Sequence, residues 1–161
     1  MVDWLVYTEH TEVRFFDGPF SQMPPRIIHP DPRTIIPYHD SSSTAYFVTL
    51  FQRRRFDLVP PIPVVRAPKD LAHLGKWVNY NGHHRTKAAI VADVKPRAFL
   101  IQNDEDIKFL KDNCEVYPEI IDGLGDSFRE HYELVCLQAG YYSKMRNGQL
   151  SIRELVALLN Q

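Results

Sequence analysis

The stretch Lys76-Trp77-Val78-Asn79-Tyr80-Asn81-Gly82-His83-His84-Arg85-Thr86-Lys87-Ala88-Ala89-Ile90-Val91-Ala92 decides how this chain is read. Residues 76–80 combine aromatic and β-branched side chains and predict a strand. Asn81-Gly82 punctuates that strand, and from Thr86 the residues are good helix formers. A strand that turns through glycine directly into a helix brings N-terminal helix amides, which have no intrahelical partners, to the end of a sheet. The aligned peptide dipoles add positive partial charge at the same place. Gly82 lets backbone approach a ligand closely, and Arg85 in the first turn can hold oxygens in bidentate fashion. Gly82, His83, His84, Arg85 and Thr86 are therefore candidate phosphate-binding residues. The same pattern also suits a glycine turn that merely packs, and the residues by themselves leave both readings open.

Downstream, Arg97 to Ile101 returns to strand character, and Asp104 to Asp112 predicts a short helix. A helix is predicted from Phe128 to Gln138, with Gly140 as the glycine just past its end. Ser151-Ile152-Arg153-Glu154 has the spacing of a capping box and opens an apolar run from Leu155 to Leu159. Upstream, Val59 to Arg66 is extended, and its prolines confine it to a strand start or a sheet edge. Phe47, Leu50 and Phe51 mark an apolar stripe on a helix expected from Ser41 to Phe56, with Arg53 to Arg55 in its last turn. Six prolines between Pro19 and Pro37 predict loop and edge strand. Before them, Trp4 to Tyr7 and Val13 to Phe16 read as a hairpin. The expected fold class is α+β: a small mixed sheet with helices packed on it, an N-terminal β-hairpin and C-terminal helices. A single domain is expected, with 1–34 an N-terminal extension, 35–101 the core and 102–161 a helical C-terminal part.

Composition narrows the class. The 161 residues are 44% hydrophobic and 24% charged, ordinary for one globular domain. Nineteen basic against 20 acidic side chains leave a net charge of −1, which argues against a globally basic nucleic-acid coat. No apolar run reaches membrane-spanning length, and Met1 to His10 lacks the basic-then-apolar pattern of a signal peptide, so a cytoplasmic protein is expected. Cys114 and Cys136 lack the paired spacing of a zinc ribbon. His83 and His84, being adjacent, point about 100° apart on a helix, so no protein-only metal site is expected.

A second candidate segment is Tyr38-His39-Asp40, just ahead of the Ser41 helix. Asp40 suits an N-cap. Next to a phosphate site it would also suit the base that takes a proton from an attacking hydroxyl, with His39 orienting the acceptor or a phosphate. Sequence does not show whether this segment meets the Gly82 turn in space.

Val64-Val65, Trp77 to Arg85 and Lys87-Ala88-Ala89, in that order, resemble the core of the ParB N-terminal and sulfiredoxin superfamily over about Ile35 to Ile101. The family pattern is a helix, a strand, a glycine-histidine-arginine turn leading into a helix, and another strand. That resemblance implies nucleotide phosphates on the Gly82 to Thr86 turn. Sulfiredoxins carry a nucleophilic cysteine where this chain has His83, which excludes thiol-based sulfinic acid repair. Partition ParB proteins carry a glutamate-arginine-arginine turn and a downstream helix-turn-helix, neither of which is matched. The double histidine is closest to the free serine kinases of this fold, whose catalytic glutamate aligns with Asp40; Asn81 stands where the family has aspartate. The resemblance implies a phosphotransferase that moves phosphate from ATP or ADP, with CTP a further candidate, to a small hydroxyl acceptor with Mg2+. Asp40, His39 and His84 would be catalytic, and Gly82 to Thr86 would bind phosphate. The alternatives are a ParB-like nuclease or nucleotide-regulated DNA-binding protein, drawing on Arg53 to Arg55 with Lys87, Lys95 and Arg97, or a non-catalytic binding module.

Overall fold

A computed structural model of the chain describes residues 14–15, 27–38, 44–80, 82–115, 127–149, 151, 153, 154 and 157. In chain order these form β1 (Arg14–Phe15), β2 (Ile27–Ile28), β3 (Ile35–Ile36), α1 (Ala45–Gln52), β4 (Ile62–Arg66), β5 (Trp77–Asn79), α2 (His83–Ala92), β6 (Ala98–Leu100), α3 (Asp104–Asn113), β7 (Cys114–Glu115) and α4 (Phe128–Arg146). The α+β class is as expected, with a mixed five-stranded sheet in the order β2-β6-β4-β5-β3. β2 runs antiparallel to β6 and β4 antiparallel to β5, while β4 with β6 and β3 with β5 are parallel.

Both edges of the sheet come from the proline-rich segment. β2 and β3 are two residues long each, as expected where prolines remove ladder donors. The sheet thus begins ahead of residue 35. β4 departs from expectation: it is central, between β6 and β5, although Pro63 lies within it. Tyr80 N–H donates to Pro63 O at 2.9 Å, but Pro63 has no N–H to return to the carbonyl of Tyr80. The Tyr38 hydroxyl donates to that carbonyl at 2.5 Å instead. A central proline is tolerated because it falls at the end of the β5 ladder and its deficit is met by a side chain.

Alternation assigns the two faces. Val65, Val78, Tyr80, Phe99 and Ile101 pack under α3 and α4 with Ile107, Leu110, Val135 and Ala139. Ile35, Ile62, Val64, Ala98 and Leu100 form the opposite face. A third cluster of Phe47, Phe51, Val59, Ala88 and Ala89 joins α1 to α2.

Two helix ends differ from the sequence reading. α1 stops at Gln52, and Arg54 sits at φ 58, with Arg54 N–H donating to Phe51 O and Arg55 N–H to Leu50 O. The three arginines therefore make a Schellman-type cap rather than the last helical turn. α4 runs through Gly140, where an added Cβ would meet Leu71 Cδ2 at an ordinary contact distance of 3.7 Å, and ends at Gly148 (φ 74) in the same motif. Gly140 continues the helix because Tyr142, one turn below Ala139, adds buried surface on the same face. Ser151 and Glu154 make the expected N-terminal contacts, with Glu154 N–H donating to Ser151 Oγ at 3.1 Å. Of the expected hairpin, the run Trp4 to Tyr7 lies outside the described residues, and β1 pairs with β7.

Candidate functional site

Gly82 takes a left-handed conformation (φ 78) as the N-cap of α2, with no side chain capping the helix. An L side chain is strained there, so the turn needs glycine. A second demand comes from packing, since a Cβ at Gly82 would lie 2.6 Å from Arg85 Nη2. The guanidinium of Arg85 is folded back beneath the turn.

Arg85 is accordingly fully buried, and its Nη1 donates to Pro60 O at 3.0 Å and Pro61 O at 2.9 Å. This corrects the expectation that its fork grips phosphate. The donors hold the Pro60-Pro61 backbone that leads into β4, so Arg85 braces the turn from within. Thr86 is also turned inward, its hydroxyl donating to Asn79 Oδ1 at 2.7 Å and lying 3.3 Å from Gly82 O. His84 is half-buried in the first turn of α2.

Of the segment ahead of α1, Tyr38 lies against this turn. Tyr38 N–H donates to Nε2 of His83 at 3.2 Å, which requires a lone pair on that nitrogen and puts the ring proton on Nδ1. The two rings pack edge to face with centroids 4.3 Å apart. With its hydroxyl on Tyr80 O, Tyr38 spans the turn from the end of β5 to the start of α2. His39, Asp40 and Asn81 lie outside the described residues. Beneath the turn, the Tyr80 phenol lies 2.9 Å from His131 Nδ1. Burial, with Tyr38 nearby, pushes that phenol well above its ordinary value of 10.0, so it stays protonated.

Beside the turn, at the β3 edge of the sheet, a cleft of about 660 Å³ opens between α2 and the C-terminal end of α4. His83, Thr86 and Lys87 stand on its α2 wall, and Tyr142 and Arg146 on its α4 wall. Sequence reading missed this cleft. Its walls lie more than 50 positions apart in the chain, and the helix expected to end at Gln138 leaves Tyr142 and Arg146 outside it. The signal that was available is the pairing of exposed apolar Ile90 and Val91 with Lys87 on one helix face.

Of the expected basic cluster, Lys87 stands on this cleft and Arg97 Nη2 donates to Val59 O at 2.8 Å. Arg53 to Arg55 are exposed on the cap of α1, and Arg55 pairs with Asp57 at 3.3 Å. Among the described residues no group of three His, Cys, Asp or Glu side chains is placed to hold a metal ion. No helix among them is long and apolar enough to cross a membrane. Neither any protein-family model nor any curated protein matches the chain.

Proposed function

We propose that this chain is a nucleotide-binding protein of the ParB/sulfiredoxin type that acts as a phosphotransferase on a small hydroxyl compound. The observation that carries the proposal is the contact of Tyr38 with both sides of the Gly82 turn, through Tyr80 O and His83 Nε2. It brings the segment leading to Asp40 up to the helix terminus that suits a phosphate. Asp40 takes the proton of the acceptor hydroxyl as its oxygen bonds to the terminal phosphorus, and the bridging oxygen departs with the rest of the nucleotide. His84, in the first turn of α2, would be a second donor, while Arg85 supports the turn from below. Mg2+ comes with the nucleotide and neutralises phosphate charge. Transfer of this kind relies mainly on positioning and charge stabilisation, which a small domain can supply.

Titration calorimetry with ATP, ADP and CTP in the presence of Mg2+ tests binding, and 31P NMR with free serine as acceptor tests transfer. Asp40→Asn is expected to abolish transfer while leaving nucleotide affinity nearly intact. No measurable heat with any of the three nucleotides, or full transfer by Asp40→Asn, overturns the proposal.

A further inference from the structure

We infer that the cleft between α2 and α4 binds an organic phosphate that has an apolar or aromatic body. Its volume of about 660 Å³ falls in the range of small-molecule sites. Its described lining residues include three cations, Arg33, Lys87 and Arg146, and no Asp or Glu. Arg146 lies over the buried Tyr142 ring at 5.6 Å, which holds the guanidinium at the cleft wall, and no carboxylate among the described residues pairs with it. Arg33 stands where the cleft meets the C-terminal end of α2, paired with Asp93 at 2.9 Å and Asp31 at 3.6 Å.

Two further features separate this cleft from an ordinary basic surface. The carbonyls at the end of α4 would repel an anion, but the Schellman cap occupies them: Gln149 N–H donates to Lys144 O at 2.8 Å and Gly148 N–H to Met145 O at 3.1 Å. That helix end therefore presents a cation rather than bare carbonyl oxygen. The described surface exposes three large hydrophobic side chains, and two of them, Ile90 at 37% and Val91 at 59%, line this cleft. Exposed aliphatic surface on the same wall as Lys87 gives a ligand both a charged and an apolar anchor. Between the walls the Thr86 hydroxyl is already committed to Asn79 Oδ1. Specificity thus comes from the walls, where a dianionic head meets the cations and an apolar body lies along α2.

The inference rests on the phosphate reading above only for its choice of head group. The probe is 1-naphthyl phosphate, titrated calorimetrically at low salt against the full chain, with 1-naphthol and inorganic phosphate as controls. Saturable binding below about 1 mM is expected for the probe, with both controls about tenfold weaker or worse. Arg146→Gln and Lys87→Gln are each expected to weaken the probe about tenfold, while Lys95→Gln, outside the cleft, leaves it unchanged. Val91→Asp puts a carboxylate on the apolar wall and is expected to abolish binding. Lys87, Val91 and Lys95 are exposed on α2 or the loop after it and Arg146 is exposed at the end of α4, and thermal melts confirm that each variant is folded. Probe binding that is retained in Asp40→Asn but lost in Arg146→Gln supports the site even if no phosphate transfer is ever detected. Failure of the probe to saturate, controls that bind as well as the probe, or wild-type affinity in both Arg146→Gln and Lys87→Gln overturns it, whatever the nucleotide titrations show.

Discussion

Replacing Arg85 by methionine tests whether its guanidinium supports the fold or faces a ligand. The substitution keeps an unbranched chain to fill the space of the arginine stem but removes both bonds to the Pro60 and Pro61 carbonyls. Those carbonyls belong to buried residues, and each acceptor left without a donor costs about 1–3 kcal/mol. Removing a fully buried cation returns part of its desolvation cost, which acts in the opposite direction. With two acceptors orphaned and this partial offset, the expected net loss is about 2–4 kcal/mol. That is a large share of the roughly 5–15 kcal/mol typical of a domain, yet small enough for the variant to fold in buffer. In urea, at a slope of about 2 kcal/mol/M, the unfolding midpoint measured by far-ultraviolet circular dichroism should fall by about 1–2 M. Arg85→Lys should lie between the two, because its shorter side chain recovers only part of the contact that Nη1 makes with both carbonyls. A variant as stable as the parent that has lost only nucleotide binding would refute the bracing role and return Arg85 to the ligand.

Gly82→Ala meets both a left-handed φ of 78° and the Arg85 Nη2 atom, so a loss of about 2 kcal/mol or more is expected in the same urea assay. Arg54→Gly relieves a left-handed residue on an exposed helix end, and calorimetry should show a melting temperature about 1–4 °C higher. Tyr38→Phe removes the donor to Tyr80 O and should cost about 1–3 kcal/mol; adding Pro63→Ala, which restores a strand N–H beside that carbonyl, should recover part of the loss. Burial, with the Asp70 charge adding to it and a bond with Tyr132 opposing it, pushes the Cys136 thiol up to about 11 from 9.0. A raised thiol pKa leaves less thiolate at neutral pH. In a Cys114→Ser background, alkylation by iodoacetamide should therefore be slow at pH 8 and climb with pH toward 11. Half-maximal alkylation near 9 would contradict this placement.

How much of this was legible in the sequence depended on how local the cause was. The proline-rich segment announced edge strands because a lost N–H acts at its own position, and both edges come from it. The strand, glycine turn and helix from Trp77 to Ala92 were legible for the same reason. The end of α1 was not, because Arg54 adopts a conformation that only the following chain direction requires. Gly140 read as a stop because glycine is costly inside a helix, yet buried Tyr142 beyond it holds the helix together. Arg85 read as a ligand contact because its spacing from Gly82 suits one. Its true partners, Pro60 and Pro61, lie 24 and 25 positions away. The cleft depends on Arg146 lying opposite Lys87, a relation set by how α4 packs on the sheet and by no local pattern.

Pro63 links these levels. Within a central strand it withholds one donor, and the carbonyl left over belongs to Tyr80, the residue that begins the Gly82 turn. A buried carbonyl must find a donor, and here it takes the hydroxyl of Tyr38. The same residue's backbone then donates to His83, so a deficit in the ladder secures the segment before Asp40 against the start of α2. An ordinary residue at position 63 would complete the ladder and remove the demand for that hydroxyl. The strand would gain a hydrogen bond, but the contact that joins the two candidate segments would lose one of its two anchors. A proline that is unfavourable for the sheet is in this way favourable for the site.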